Sequence, residues 1–429
     1  RPNPTPRRPK VSSVRTQTPE RHMDRRRLRD FDWGLFLVTA LLTVIGIVMI
    51  YSATRGSESA VTSDAVTRQL LWAGLGFTVI LAILFISQDT IEALSPFFYV
   101  VAIALLVAVL FVGVGKTGER RWFDLGFMRF QPSELAKFAV IFALARYLSR
   151  KRTRLDRPLH AALPLGIVLL PTALVLNQPD LGTSVIYVLV LIPMLYWGGM
   201  KPLVLLLLAT PVISMLLSFN WFAWIAFLAA LGWFLYVSRL LIVDKVVIFL
   251  INVVMGRAGP ILWQSLEEYQ RHRVLAFLNP EKYRFSTGYQ LIQSKIAVGS
   301  GSVFGKGFLQ GTQKNFAFLP ERHTDFIFSV LAEEFGFAGC LVVLCLYMYL
   351  VVRMIRLASQ VRNRFAGLVI VGIASTLFIQ SAINIGVTLG LSPVTGMPLP
   401  LLSYGGSSLL VTLASIGLVL GMGIRRMEY

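Results

Sequence analysis

"FLPERHTDFIFSVLAEEFGFAGCLVVLCLYMYLVV", residues 318–352, decides how the chain is read. Its first eight residues hold Glu321, Arg322, His323 and Asp325. Two more acids, Glu333 and Glu334, follow inside an apolar stretch, about 12–13 Å beyond Asp325 at 1.5 Å per helical residue. From Phe337 to Val352 there is no charge at all. A charged mouth on an uncharged helix describes a membrane segment whose end meets water.

The rest of the chain fits that reading. Of 429 residues 55% are hydrophobic and 15% charged, against about 25% charged in soluble domains. Apolar runs fall near 33–53, 69–87, 94–115, 132–148, 160–176, 183–199, 201–218, 220–238, 242–256, 326–352, 365–389 and 406–424. The expected fold is therefore an all-α polytopic membrane protein with 10–12 transmembrane helices, twelve being favoured. Pro211, Arg239, Asp244 and Lys245 interrupt 201–258, where short or re-entrant pieces are an alternative.

The net charge of +19 would suggest nucleic acid in a soluble protein. Here the positive-inside rule accounts for it and no nucleic acid is expected. The basic segments are the N-terminal tail, "LSRKRTRLDRP" (148–158), "VVRMIRLASQVRNR" (351–364) and "IRRMEY" at the end. Counting spans puts all four on one side, with both termini cytoplasmic. Residues 1–30 hold ten Lys and Arg against three Asp and Glu. They read as a disordered basic tail able to touch anionic lipid. Met23 is a candidate natural start. Residues 31–429 read as one multi-span domain with a large extracytoplasmic loop at about 257–325. Cys340 and Cys345 share one apolar run and read as two buried side chains. The four histidines form no ligand cluster.

The opposite side receives the polar chemistry. "GERRW" supplies Arg120 and Arg121, which either snorkel or hold a phosphate. "QPSELAKF" (131–138) places Glu134 and Lys137 on one helix face, as a local salt bridge or as a pair lining a cavity. In "NQPDLGTS" (177–184), Asp180 is a helix cap or a site acid. "GSGSVFGKG" (299–307) contains Lys306. Its glycines permit turns or close backbone approach, and it is not a nucleotide-binding loop. Asp325 either caps its helix with Thr324 or works as a site acid beside Arg322 and His323. Carboxylates, cations and flexible loops beside lipid suit an anionic substrate with a lipid tail.

The motifs "RRWFDLG…RFQPSELAK", "NQPDLGTS", "GYQLIQSKIAVGSGSVFGKGFLQGTQ", "FLPERHTDFIFSVLAEEFG" and "PLPLLSYGGSS" resemble the SEDS family (shape, elongation, division and sporulation) from about residue 30 to 425. "PERHTDFIF" and "MPLPLLSYGG" are closer to its RodA members than to FtsW. The resemblance implies a peptidoglycan glycosyltransferase in the bacterial cytoplasmic membrane, polymerising lipid II at the outer face for cell elongation. It implies a class B penicillin-binding protein as partner, beside lipid II and the nascent glycan. It makes Asp325 the essential acid, as general base or as ligand of a divalent cation, Mg or Mn. It places Glu134, Lys137 and Asp180 around a central cavity, and Arg120 and Arg121 in the first outer loop. Arg322, His323 and Lys306 join them as candidate substrate contacts. The family usually has ten spans, and about forty extra apolar residues near 201–245 depart from that pattern. The rival readings are a lipid II flippase, the division paralogue, or a scaffold that only recruits the crosslinking partner.

Overall fold

The computed structural model describes residues 31–55, 64–115, 120–126, 129–150, 155–285, 287–311 and 322–426. The basic tail, Met23 and Glu321 lie outside the described residues. Twelve helices correspond one to one with the twelve apolar runs. They are α1 (Trp33–Thr54), α2 (Ala65–Ile83), α3 (Gln88–Val112), α4 (Pro132–Ser149), α5 (Ala162–Leu176), α6 (Leu181–Trp197), α7 (Pro202–Leu217), α8 (Trp221–Val237), α9 (Ile242–Ser265), α12 (Ile327–Gln360), α13 (Arg364–Leu389) and α14 (Gly406–Ile424). Two shorter helices, α10 (Glu268–Leu278) and α11 (Thr287–Ser300), fold within the segment expected as a loop. A two-stranded hairpin, β1 (Phe123–Asp124) with β2 (Arg129–Phe130), precedes α4.

Eight helices among the described residues are long and apolar enough to cross a membrane: α1, α2, α3, α5 with its preceding 3-10 turn, α9, α12, α13 and α14. The helices α6, α7 and α8 are apolar but shorter, and α4 carries Glu134, Lys137 and Arg146. Two-thirds of the apolar stretches of α13 and α14 are buried, against about a fifth in α2, α3 and α9. So α13 and α14 form the centre, and the outer helices turn Phe111, Leu206, Phe222 and Trp233 outward. That much exposed hydrocarbon fits lipid rather than water.

The helix ends follow local chemistry. Asp32, Asp180, Asn220 and Asn363 cap α1, α6, α8 and α13 by accepting backbone N–H bonds, and Pro132 and Pro202 open α4 and α7. Gly390, in the left-handed region, ends α13.

Contacts gather two of the basic segments, 351–364 and the C-terminal one, at one end. Arg425 donates to the carbonyls of Leu84 and Ile86, Arg364 to Gly198, and Arg353 pairs with Asp32 at 2.7 Å. The polar loops meet at the other end.

Some expectations are corrected. The helix α9 continues past 256 to Ser265, so the loop begins later than expected. The uncertain run 201–258 forms three helices, α7 to α9, with a small core of Leu207, Leu231, Leu235 and Ile248. Trp224 Nε1 donates to Ser214 Oγ at 2.9 Å, and Asn252 Nδ2 to Thr210 Oγ1 at 3.0 Å, tying the three together. Cys340 is buried but Cys345 is exposed, because five residues turn a helix to a different face.

Candidate active site

Helix α12 breaks at Gly336 (φ 63°, ψ −163°). A break leaves helical N–H and C=O groups without partners, which is costly away from water. The glycine-rich segment supplies them. Phe337 N–H donates to Ser302 O and Ala338 N–H to Val303 O, both at 2.9 Å. In return Lys306 and Gly307 N–H donate to the carbonyls of Glu333 and Glu334 at 3.0 Å. The backbones approach so closely that a Cβ on Gly301 would lie 1.9 Å from Ala332 O, and one on Gly305 2.1 Å from Glu334 O. Of the two readings of these glycines, close approach prevails. Lys306 Nζ meets Glu333 at 2.8 Å, and Glu334 accepts from Ser52 Oγ at 2.6 Å. The paired acids thus join α12 to the loop and to α1.

Asp325 does not occupy the cap position of α12. The helix starts at Ile327 with Phe326 at the cap. Asn384 Nδ2, from α13, bonds Asp325 O at 2.9 Å and Met397 O at 2.7 Å. Ser403 Oγ donates to Thr324 O, and Tyr404 N–H to His323 O at 2.9 Å. Arg322 Nε reaches Ala53 O at 2.7 Å, and burial holds its pKa below the usual guanidinium value.

The segment 395–398 connects the remaining candidates. Gly396 (φ +72°) presents an open side on which a Cβ would lie 3.7 Å from Asp325 Oδ2 and 3.6 Å from a guanidinium nitrogen of Arg273. On its other flank a Cβ at Gly182 would lie 3.1 Å from Thr395 O, so the capped start of α6 abuts the same segment. Asp180 accepts from Thr183 N–H at 3.1 Å and from Gln131 Nε2 at 3.1 Å. Beneath, Gln380 Nε2 donates to Pro398 O at 2.9 Å. Its Oε1 accepts from Lys137 Nζ at 3.1 Å, while Lys137 meets Glu134 at 2.9 Å. Gln380 and Asn384 stand one turn apart on α13, so one helix face holds both Lys137 and the Asp325 backbone.

Arg121 is used differently from the phosphate-holding role expected of it. Its Nε donates to Gln178 O at 2.9 Å, and its NH2 to Tyr269 Oη at 2.9 Å and to Pro179 O. The Tyr269 ring in turn lies 5.1 Å beneath the Arg273 guanidinium. Arg120 is exposed, with NH1 bonded to Leu110 O at 2.9 Å. Lys306 is paired with Glu333 and does not share any contact described around Gly396. Sequence reasoning missed Arg273, Tyr269, Gln380 and Asn384. The cations of "QRHR" (270–273), on the polar side of the chain, were the signal for the first.

Among the described residues no group of three or more His, Cys, Asp or Glu is placed to hold a metal ion. The arrangement offers instead one carboxylate beside a guanidinium, above a buried lysine–glutamate pair, at the mouth of a helical bundle. The fold and site define an all-α polytopic membrane protein whose polar chemistry sits at one rim of the bundle. The chain belongs to the FtsW/RodA/SpoVE family of cell cycle proteins, which it matches over residues 32–231 and 216–427. It is 36% identical over 389 residues to the peptidoglycan glycosyltransferase MrdB of Escherichia coli K12, covering 90% of this chain and 93% of that one. It is 33% identical to the peptidoglycan glycosyltransferase RodA of Treponema pallidum, covering 94% and 99%. Among solved structures it is similar to a chain of a peptidoglycan synthase complex that coordinates polymerization and crosslinking (TM-score 0.68, 32% identity, 93% of this chain and 99% of that one). It is also similar to the rod shape determining protein RodA of Thermus thermophilus (TM-score 0.61, 29% identity, 93% and 98%).

Proposed function

We propose that the chain is a peptidoglycan glycosyltransferase that polymerises lipid II at the outer face of the bacterial cytoplasmic membrane, with Asp325 at its centre. The observation that carries this is the convergence of Asp325 and Arg273 on the open side of Gly396, where a Cβ would lie within 3.7 Å of a side-chain atom of each. A carboxylate is there to take a proton, and a cation stands beside it to balance phosphate charge. Asp325 takes the proton from the 4-hydroxyl of the acceptor N-acetylglucosamine. That oxygen forms a bond to the anomeric carbon of the growing strand. The bond from that carbon to the diphosphate oxygen breaks, and undecaprenyl diphosphate leaves with the electron pair. A single displacement inverts the anomeric centre. Arg273, Lys137 and Arg120 balance the diphosphate, and Arg121 supports Arg273 through Tyr269. A Mg or Mn ion, if bound, would be held on the protein side by Asp325 and would supply positive charge for the diphosphate.

The kinship to a chain from a polymerizing and crosslinking complex supports a class B penicillin-binding protein as partner. Elongation rather than division is supported by "PERHTDFIF" and "MPLPLLSYGG" and by MrdB and RodA among the relatives. Rescue of rod shape in a strain lacking its own elongation polymerase, without rescue of division, checks that assignment.

The test of the reaction is polymerisation of labelled lipid II by the purified chain with its crosslinking partner. General-base help is worth about 10²–10⁴-fold, so Asp325→Asn loses that much rate at unchanged folding. Equal polymer from both proteins removes Asp325 from the mechanism. No polymer from either, with lipid II transport intact, makes the chain a flippase.

A further inference from the structure

The basic end of the bundle holds a second site, away from Asp325. Asp244 lies in the first turn of α9 and is 4% exposed. Its Oδ2 has no hydrogen-bond partner. It lines a cavity of about 90 Å³ bounded by the 158–161 turn, α5, α7 and α9. The other lining side chains are hydrocarbon, Leu165, Leu208, Pro211 and Ile248 among them. The neighbouring Lys245 donates instead to Tyr236 O at 3.2 Å.

A carboxylate in such surroundings takes either a proton or a counter-charge. Calcium and magnesium take six or more oxygen ligands and zinc takes four ligands, and this lining offers one carboxylate. An organic ammonium is better matched, with its charge against Asp244 and its carbon body against leucine and proline. We propose that this cavity binds the ammonium group of an amine. The amine comes either from the headgroup of a zwitterionic phospholipid or free from solution. Arg157 and Lys245 adjoin the lining residues Pro158 and Asp244 in sequence. A phosphate next to the ammonium would find cations there, which favours the lipid.

Native mass spectrometry of the full chain, titrated with phosphatidylethanolamine or phosphatidylglycerol of equal acyl chains, tests this. Asp244→Asn keeps the shape and removes the charge. It lowers phosphatidylethanolamine retention about tenfold, the scale of one charged hydrogen bond, and leaves phosphatidylglycerol unchanged. Leu208→Phe fills the cavity, keeps the acid and acts in the same direction. It decides the matter if the asparagine variant fails to fold. A parallel arm measures the thermal shift given by ethylammonium. A shift that depends on Asp244, with the two lipids retained equally, assigns the site to a free amine. If neither probe separates the variants from wild type, Asp244 holds no ammonium and the proposal falls.

Discussion

Asp325 and Arg273 show what single residues contribute. Asp325 was a candidate from the sequence because an acid beside Arg322 and His323, at the start of an apolar helix, exceeds what a cap needs. Arg273 was not, because the chain between them spans more than fifty residues and only folding sets both beside Gly396. Arg273 stacks on Tyr269 and can meet phosphate with two parallel N–H groups, which lysine cannot. Arg273→Ala is expected to lower lipid II polymerisation about 10²-fold, with Arg273→Lys recovering only a minor part. Thermal unfolding of both variants should match wild type. Equal activity in all three proteins would leave Arg273 a structural side chain.

At the scale of elements, the twelve apolar runs gave the twelve helices, and the caps Asp180 and Asn363 lay where short polar side chains precede apolar stretches. One feature escaped. The junction of "GSGSVFGKG" with α12 is non-local, and neither segment alone announces the other. The three-helix unit α7 to α9 looked doubtful because Asp244 and Lys245 interrupt an apolar run, yet they lie in the first turn of a helix. The junction can be probed at Gly305. It has φ +80°, and a Cβ there would meet the carbonyl of Glu334 at 2.1 Å. Forcing the two backbones apart costs about 1–3 kcal/mol, so Gly305→Ala should lower the melting temperature. An unchanged melting point would mean that the loop gives way freely.

At the scale of the whole molecule, charge sorting was read from four basic segments, and the structure brings two of them, 351–364 and the C-terminal one, to one end. Which rim carries the site in a cell is a question of topology. Asp124→Cys, in β1, should react with a membrane-impermeant maleimide added to intact cells. Ser359→Cys, near the end of α12, should react only after lysis. The reverse pattern would turn the proposed active site inward and end the reading of an outward polymerase. The helices α7 to α9 own a separate small core and meet the rest mainly through α6 and the 158–161 turn, so the site at Gly396 keeps its neighbours.

The four reciprocal backbone bonds between the glycine-rich segment and broken α12 have a consequence for amide exchange with solvent deuterium. The N–H groups of Lys306, Gly307, Phe337 and Ala338 come from segments far apart in sequence, yet one separation exposes them all. They should therefore gain deuterium together and at one rate, as a single cooperative unit. The start of α12 that leads from Asp325 is by this measure no more stable than the loop resting on it.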